Sequence, residues 1–200
     1  MSSTLSPELS ALQTKIDAGT AHIGIYGLGY VGLPLALRFA EVGLKVTGFD
    51  IDSAKVQQLN AGESYIERLQ PAVIQRAQSH GFEATTDFSL SKEVDAIIIC
   101  VPTPLNRYRE PDLSYIIATI ESALPHMRAG QLVSLESTTW PGTTEEVLAP
   151  RLRARGLVHG ENCALVFSPE REDPGNPRYG TKDIPKICRR PRISAPIQIH

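Results

Sequence analysis

One hexapeptide limits what this chain can become. Gly27-Leu28-Gly29-Tyr30-Val31-Gly32 fits G-x-G-x-x-G and stands directly after the apolar run Ile23-Gly24-Ile25-Tyr26. Beyond it, Val31, Leu35, Phe39 and Val42 share one face of a helix predicted over about Tyr30 to Val42. Pro34 sits in the tolerated first turn and Gly43 is placed to end the helix. A second strand, Leu44 to Phe49, ends at Asp50. Strand, glycine turn, helix, strand is the βαβ unit of a parallel sheet. Within it Gly27 permits the tight turn, Gly29 lets the backbone approach a pyrophosphate, and Gly32 lets the helix pack close to the strand. The free N–H groups and positive end of the helix then face the anion, with Leu28, Tyr30 and Val31 between the glycines.

Asp50 follows Gly32 by eighteen residues. A carboxylate at the end of the second strand can accept hydrogen bonds from both hydroxyls of an adenosine ribose and repels a 2′-phosphate, which favours NAD over NADP. The bland alternative is that the glycines merely shape a strand–helix turn and Asp50 caps the helix beginning near Ser53. Lys55 reaches either the same ribose or a phosphate, or stands as a solvated helix lysine.

The alternation continues along the chain. Helices are predicted over Ser53–Leu59, Ile66–Ser79, Leu113–Met127 and Thr143–Arg155; strands over Phe82–Thr85, Ala96–Val101, Gln131–Leu135 and Cys163–Phe167. Six strands with helices between them predict an α/β fold, a doubly wound Rossmann-type and mostly parallel sheet. Residues 1–20 read as a helical preamble, with Leu9, Leu12 and Ile16 on one face, and residues 21–185 as the dinucleotide-binding domain. The chain of 200 residues has room for one such domain and too little for two. Residues 186–200 hold four basic side chains, no acidic one and two of the prolines that gather after Ser168, and read as a solvated tail.

Composition excludes several classes. A net charge of −2 makes no case for nucleic acid or a membrane surface. The longest apolar run, Ala96–Val101, is far short of a membrane span, and the polar N-terminus lacks a secretory pattern, so the expected compartment is the cytoplasm. Cys100, Cys163 and Cys188 are too scattered for a disulfide framework or a metal site, and Cys100 reads as a packing residue.

Ligands in open α/β sheets lie outside the carboxyl ends of the strands. The fourth strand ends in Pro102-Thr103-Pro104, where the prolines fix a threonine whose hydroxyl can bond the cofactor, or simply end the strand. The fifth ends in a loop with Thr138, Thr139, Thr143 and Thr144; these hydroxyls position a substrate or a water, or cap the next helix. The sixth is followed by Glu170, a general base or an exposed surface carboxylate.

Five stretches together resemble the nucleotide-sugar dehydrogenase family, which includes UDP-glucose and GDP-mannose dehydrogenases: GLGYVGLPLA (27–36), GFDID (48–52), CVPTPLNRYREPDLSYI (100–116), LESTTWPGTTEEVL (135–148) and FSPEREDPGN (167–176). The forms VPTPL, ESTTWPGTT and FSPER are most similar to the branch acting on UDP-N-acetylglucosamine or UDP-N-acetylmannosamine; UDP-glucose specificity is the alternative. The resemblance implies a two-step oxidation of a UDP-sugar C6 alcohol to a carboxylate with two NAD, for surface polysaccharide synthesis, by a homodimer. An active-site cysteine captures the aldehyde as a thiohemiacetal, and the thioester formed next is hydrolysed. By the same resemblance Val31, Asp50, Lys55 and Thr103 contact NAD, Thr139 helps position the catalytic water and the cofactor, and Glu170 is linked to thioester hydrolysis.

The family continues into a long central helix and a second, substrate domain whose nucleophilic cysteine lies in a glycine-rich setting. ICRRPRISAPIQIH (187–200) has no such setting around Cys188. The expectation is therefore a truncated product, frameshifted near residue 186, without its substrate domain and inactive alone. Two other readings stand beside it: a non-catalytic NAD-binding module that acts by interaction through its basic tail, and a two-electron β-hydroxyacid dehydrogenase. FSPER and ESTTWPGTT argue against the last.

Overall fold

The computed structural model describes residues 5–105, 107 and 109–169. Six strands, β1 (Ile23–Tyr26), β2 (Val46–Phe49), β3 (Phe82–Thr85), β4 (Ala96–Ile99), β5 (Gln131–Leu135) and β6 (Cys163–Phe167), form one sheet in the order β3-β2-β1-β4-β5-β6. Every neighbouring pair is parallel. This is the doubly wound sheet predicted above, and the strand order reverses between β1 and β4.

Both faces of the central strands are covered, so β1, β2 and β4 are buried at every position. On one face, Ile25, Ala96 and Ile98 pack under α2 (Gly32–Glu41), α3 (Ser53–Asn60) and α4 (Pro71–Ser79) through Leu33, Leu37, Leu59 and Ile74. On the other, Tyr26, Phe49, Ile97 and Ile99 meet Ile116 and Ile120 of α5 (Ser114–Ala123) and Leu152 of α6 (Ala149–Ala154). The preamble forms α1 (Pro7–Asp17), with Ser6 Oγ accepting from the Leu9 N–H at 3.3 Å. Its Leu9 and Leu12 are buried against Ala164, while Ile16 remains 41% exposed.

Several elements differ from the sequence-based expectation for local reasons; the helix expected over Leu113–Met127, for one, ends at Ala123 and passes into a 3-10 turn at Leu124–His126 that contains Pro125. The helix expected from Ile66 starts at Pro71, because proline takes the first helical position and holds Gln70 extended at ψ 141°. Residues 61–70 instead form a loop, entered through Gly62 at φ +76°. The helix expected from Thr143 opens with one π-helical turn, Thr144–Leu148, before α6. A 3-10 turn at Phe88–Lys92, with no periodic signal, links β3 to β4.

At the sheet end away from the glycine turn, Asp95 ties three segments together. Its Oδ1 accepts from Lys15 Nζ at 2.7 Å and Arg128 Nη2 at 2.8 Å, and its Oδ2 accepts from the His22 N–H at 3.0 Å. Burial alone would raise its pKa, but the His22 N–H and the Lys15 and Arg128 charges together outweigh that and hold the carboxyl below its ordinary value. A lowered folded-state pKa means stabilisation fully present above the unfolded value of about 3.9 and lost as pH falls through the folded pKa. Asp95→Asn keeps one acceptor but removes the charge, and is expected to cost about 1–3 kcal/mol at pH 7. Urea unfolding should show that difference from wild type shrinking progressively below about pH 4.

Candidate functional site

The order reversal leaves a cleft of about 670 Å³ at the carboxyl ends of β1 and β4. Its floor is aromatic. Tyr26 and Phe49 stack with ring centroids 4.3 Å apart, and Phe88 tilts against both. The Tyr26 hydroxyl donates to Ser91 Oγ at 2.8 Å, and burial pushes its pKa up, so it stays neutral.

The glycine turn forms one wall, and its three glycines meet three different surroundings. Gly27 has φ +93°, a conformation only glycine adopts without strain. A Cβ on Gly32 would lie 1.9 Å from the Gly27 carbonyl oxygen and 3.1 Å from Cys100 Cβ, so Gly32 is what lets α2 cross the turn and β4 this closely. A Cβ on Gly29 would meet nothing within 4 Å, and Gly29 faces the cleft. The first turn of α2 contains no acidic residue, and its N-cap position, Val31, supplies no side-chain hydrogen bond. Its leading N–H groups are therefore not capped by a side chain, as an anion site at a helix N-terminus requires.

Asp50 is 8% exposed and lies in the cleft wall. Its Oδ2 accepts from the Leu28 N–H at 2.9 Å and its Oδ1 from the Asp52 N–H at 3.0 Å. A carboxylate has about four acceptor positions, so two backbone donors leave capacity for a ligand. The cap of α3 is Asp52, whose Oδ1 accepts from the N–H groups of Ala54 and Lys55 at 3.0 and 3.4 Å. Asp50 does not serve as that cap.

Of the site residues named from sequence, Gly27, Gly29, Tyr30, Val31, Asp50, Lys55 and Thr103 all reach the cleft wall. Two others lie behind it. Leu28 is fully buried with its side chain against Gly48, and Gly32 sits beneath the turn. Thr139 is not part of the lining; its Oγ1 is buried and has no hydrogen-bond partner among the described residues. Thr143 does not cap the following helix through its side chain, because its Oγ1 donates to the Trp140 carbonyl at 2.8 Å. Glu170, Cys188 and the tail lie outside the described residues.

Several wall residues escaped the sequence reading. Glu136, 5% exposed, is the first residue past β5 and accepts from Ser134 Oγ at 2.9 Å. The strand-end argument applied to Glu170 would equally have found it. Ser137 Oγ donates to the Val101 carbonyl at 2.7 Å and ties the fourth and fifth strand-end loops together. Tyr115, Thr119 and Ser122 line the cleft from one side of α5, at i, i+4 and i+7. Tyr65 lies outside the lining but donates to the Leu28 carbonyl, and its loop carried no recognisable signal.

Among the described residues no group of three His, Cys, Asp or Glu is placed to hold a metal ion, and no helix is long and apolar enough to cross a membrane. Cys100 is buried at 7% exposure in the cleft wall. Cys163 is fully buried, its thiol pushed up to about 12 by desolvation, which leaves no thiolate nucleophile there.

The surroundings of Gly29, the uncapped N-terminus of α2 and the carboxylate after β2 fit a dinucleotide. Comparison with known proteins agrees. The model of the UDP-glucose/GDP-mannose dehydrogenase family, NAD binding domain, matches residues 21–188. UDP-N-acetyl-D-glucosamine 6-dehydrogenase of Salmonella typhi is 36% identical over 166 residues, which are 82% of this chain and 38% of that protein. UDP-N-acetyl-D-mannosamine dehydrogenase of Pyrococcus horikoshii is 38% identical over 157 residues, 76% of this chain and 37% of that one. The solved structure of a UDP-N-acetyl-mannosamine dehydrogenase from Staphylococcus aureus superposes with a TM-score of 0.72 at 34% identity, covering 78% of this chain and 37% of that chain. The chain thus spans well under half the length of the relatives it matches. It belongs to the UDP-glucose/GDP-mannose dehydrogenase family, and the part of the family it matches is the NAD-binding domain.

Proposed function

We propose that this chain binds NAD in the cleft between β1 and β4, as the cofactor-binding part of a UDP-N-acetylhexosamine 6-dehydrogenase. One observation carries the cofactor reading. Gly29 has no positive φ and, among the described residues, no neighbour that would exclude a side chain, so nothing in the described part of the chain requires glycine there. A ligand backed closely against the main chain does.

In this reading the N–H groups of the turn and of α2 hold the pyrophosphate, and Asp50 accepts from the adenosine ribose hydroxyls. Lys55 and Thr103 stand at the same wall, a cation and a hydroxyl within reach of the dinucleotide. NAD, when bound, supplies the hydride acceptor. The Thr139 hydroxyl, unpartnered among the described residues, is suited to orient a water, and Glu170 to act as base in hydrolysis of an acyl intermediate.

The substrate class rests on the segments VPTPL, ESTTWPGTT and FSPER and on the names of the relatives. The product is a UDP-linked uronic acid of the kind used in surface polysaccharides; the working enzyme is a homodimer acting in the cytoplasm. None of the three cysteines stands in a glycine-rich setting, and the Cys163 thiol is buried and un-ionised, so in this reading these 200 residues by themselves bind the cofactor without completing the four-electron oxidation.

Three outcomes test this. Gly29→Ala should leave the melting temperature within about 2 °C of wild type yet weaken NAD binding by about thirtyfold or more in calorimetry, whereas Gly32→Ala should destabilise the fold by about 3 kcal/mol. Equal NAD affinity in Gly29→Ala and wild type would contradict the assignment. Asp50→Asn should weaken NAD about tenfold and narrow the preference over NADP, and an unchanged NAD/NADP ratio would count against the ribose contact. The 200-residue chain should produce no NADH from UDP-N-acetylglucosamine, UDP-N-acetylmannosamine or UDP-glucose; turnover would show that a nucleophile has been overlooked.

A further inference from the structure

We propose that Tyr65, outside the cleft lining, is a positioning residue for the dinucleotide: its hydroxyl pins the Leu28 carbonyl of the glycine turn while its ring holds the Lys55 ammonium at the cleft wall. The inference rests on the cofactor reading above and assigns a role to a residue that no sequence pattern singled out.

The geometry has two halves. The Tyr65 hydroxyl donates to the Leu28 carbonyl, across 37 residues of chain. The same residue is held from its other side, since the Leu28 N–H donates to Asp50 Oδ2 at 2.9 Å. Leu28 also plugs the core, its side chain fully buried against Gly48. The carbonyl of Leu28 and the N–H of Gly29 belong to one planar trans peptide and point in opposite directions. Fixing the carbonyl therefore fixes the direction of the Gly29 N–H, in a residue that faces the cleft. Without Tyr65 this peptide is restrained only through its neighbours, and glycine on one side gives it freedom to rotate.

The second half concerns charge. Lys55 Nζ stands 5.7 Å from the centroid of the Tyr65 ring, within cation–π range. Lys55 lines the cleft and Tyr65 does not, so the ring supports the lysine from behind. A lysine stem has about 2 kcal/mol of rotamer freedom to lose on ordering, and a ring that already restrains it lowers that cost when an anion arrives. Burial raises the Tyr65 pKa, and the nearby Asp50 and Asp52 charges raise it further, so the hydroxyl remains a donor at neutral pH.

The loop that carries Tyr65 is itself braced. Ser64 Oγ accepts from the Ile66 N–H at 3.1 Å, Gln75 Nε2 donates to the Gly62 carbonyl at 3.5 Å, and just ahead of the loop Gln78 Nε2 donates to the Leu59 and Asn60 carbonyls that end α3, at 3.0 Å each. The tyrosine is thus presented by a fixed loop between α3 and α4.

The test is a calorimetric titration of the full 200-residue chain with NAD, over single and double substitutions at Tyr65 and Lys55. Tyr65→Phe keeps the ring and the volume but loses the donor, and should weaken NAD by about three- to tenfold. Lys55→Met should weaken NAD by about two- to fivefold in wild type and equally in Tyr65→Phe, but by less than about 1.5-fold in Tyr65→Leu, where the ring is gone. A merely structural tyrosine would leave the Lys55→Met effect the same in all three backgrounds, and that result overturns the inference. So does NAD affinity in Tyr65→Phe equal to that of wild type. If wild type itself gives no heat with NAD, the cofactor reading fails and this inference with it; if wild type binds and only the Tyr65 results depart from expectation, the inference alone fails.

Discussion

Of the described glycines, the one with the least room for a side chain is Gly32, where α2 meets the turn that precedes it. At Gly32 the helix lies so near the Gly27 carbonyl that a single methyl group would collide at 1.9 Å, with Cys100 at the end of β4 just behind. That contact sets the height of α2 over β1 and β4, the two strands between which the sheet reverses its order. Because the helix starts so low, its N-terminal N–H groups open at the rim of the cleft. The position of the anion site therefore follows from a packing constraint and needs no dedicated side chain.

Other parts of the molecule serve to keep that turn in place. Asp50 reaches back from β2 to the Leu28 N–H, Tyr65 reaches in from the α3–α4 loop to its carbonyl, and Gly48 leaves room for its side chain. Leu28 is thus held at every polar and apolar group it has. A turn rich in glycine would otherwise be among the looser segments of a domain, and here hydrogen bonds to both backbone groups of Leu28 restrain it. The far end of the sheet is organised separately. Asp95 joins α1, β1 and the approach to β5 there, while Gln131 closes the same region by donating to the Ser91 and Val94 carbonyls at 2.7 Å each.

The sheet was legible in the sequence because it is parallel and buried on both faces. Runs such as Ile97-Ile98-Ile99 have no polar alternation to confuse them, and the glycine turn stated the position of the first crossover outright. Helix starts were less legible where proline and cap chemistry override periodicity: Ile66 and Leu69 sit at helical spacing, yet Pro71 moves the helix start past them. In the site, residues on the turn and at strand ends were found because the fold assigns those places to ligands. Tyr65, Phe88 and the Tyr115–Thr119–Ser122 side of α5 were not, because their place at or beside the cleft depends on how distant segments pack. The roles proposed for Thr139 and Glu170 rest on strand-end position and family resemblance, and a Thr139 hydroxyl that is buried and unpartnered among the described residues is consistent with one of them.

The central claim is that the turn at residues 27–32 is a rigid anion cradle that receives the dinucleotide through its main chain. The most direct measurement is a two-dimensional amide NMR titration of isotopically labelled protein with NAD. The account predicts the largest shift changes at the Gly29, Tyr30 and Val31 amides, with Asp50 and Thr103 following and the Asp95 region unmoved. Saturable changes confined to other surfaces, with the glycine-turn amides left in place, would contradict it.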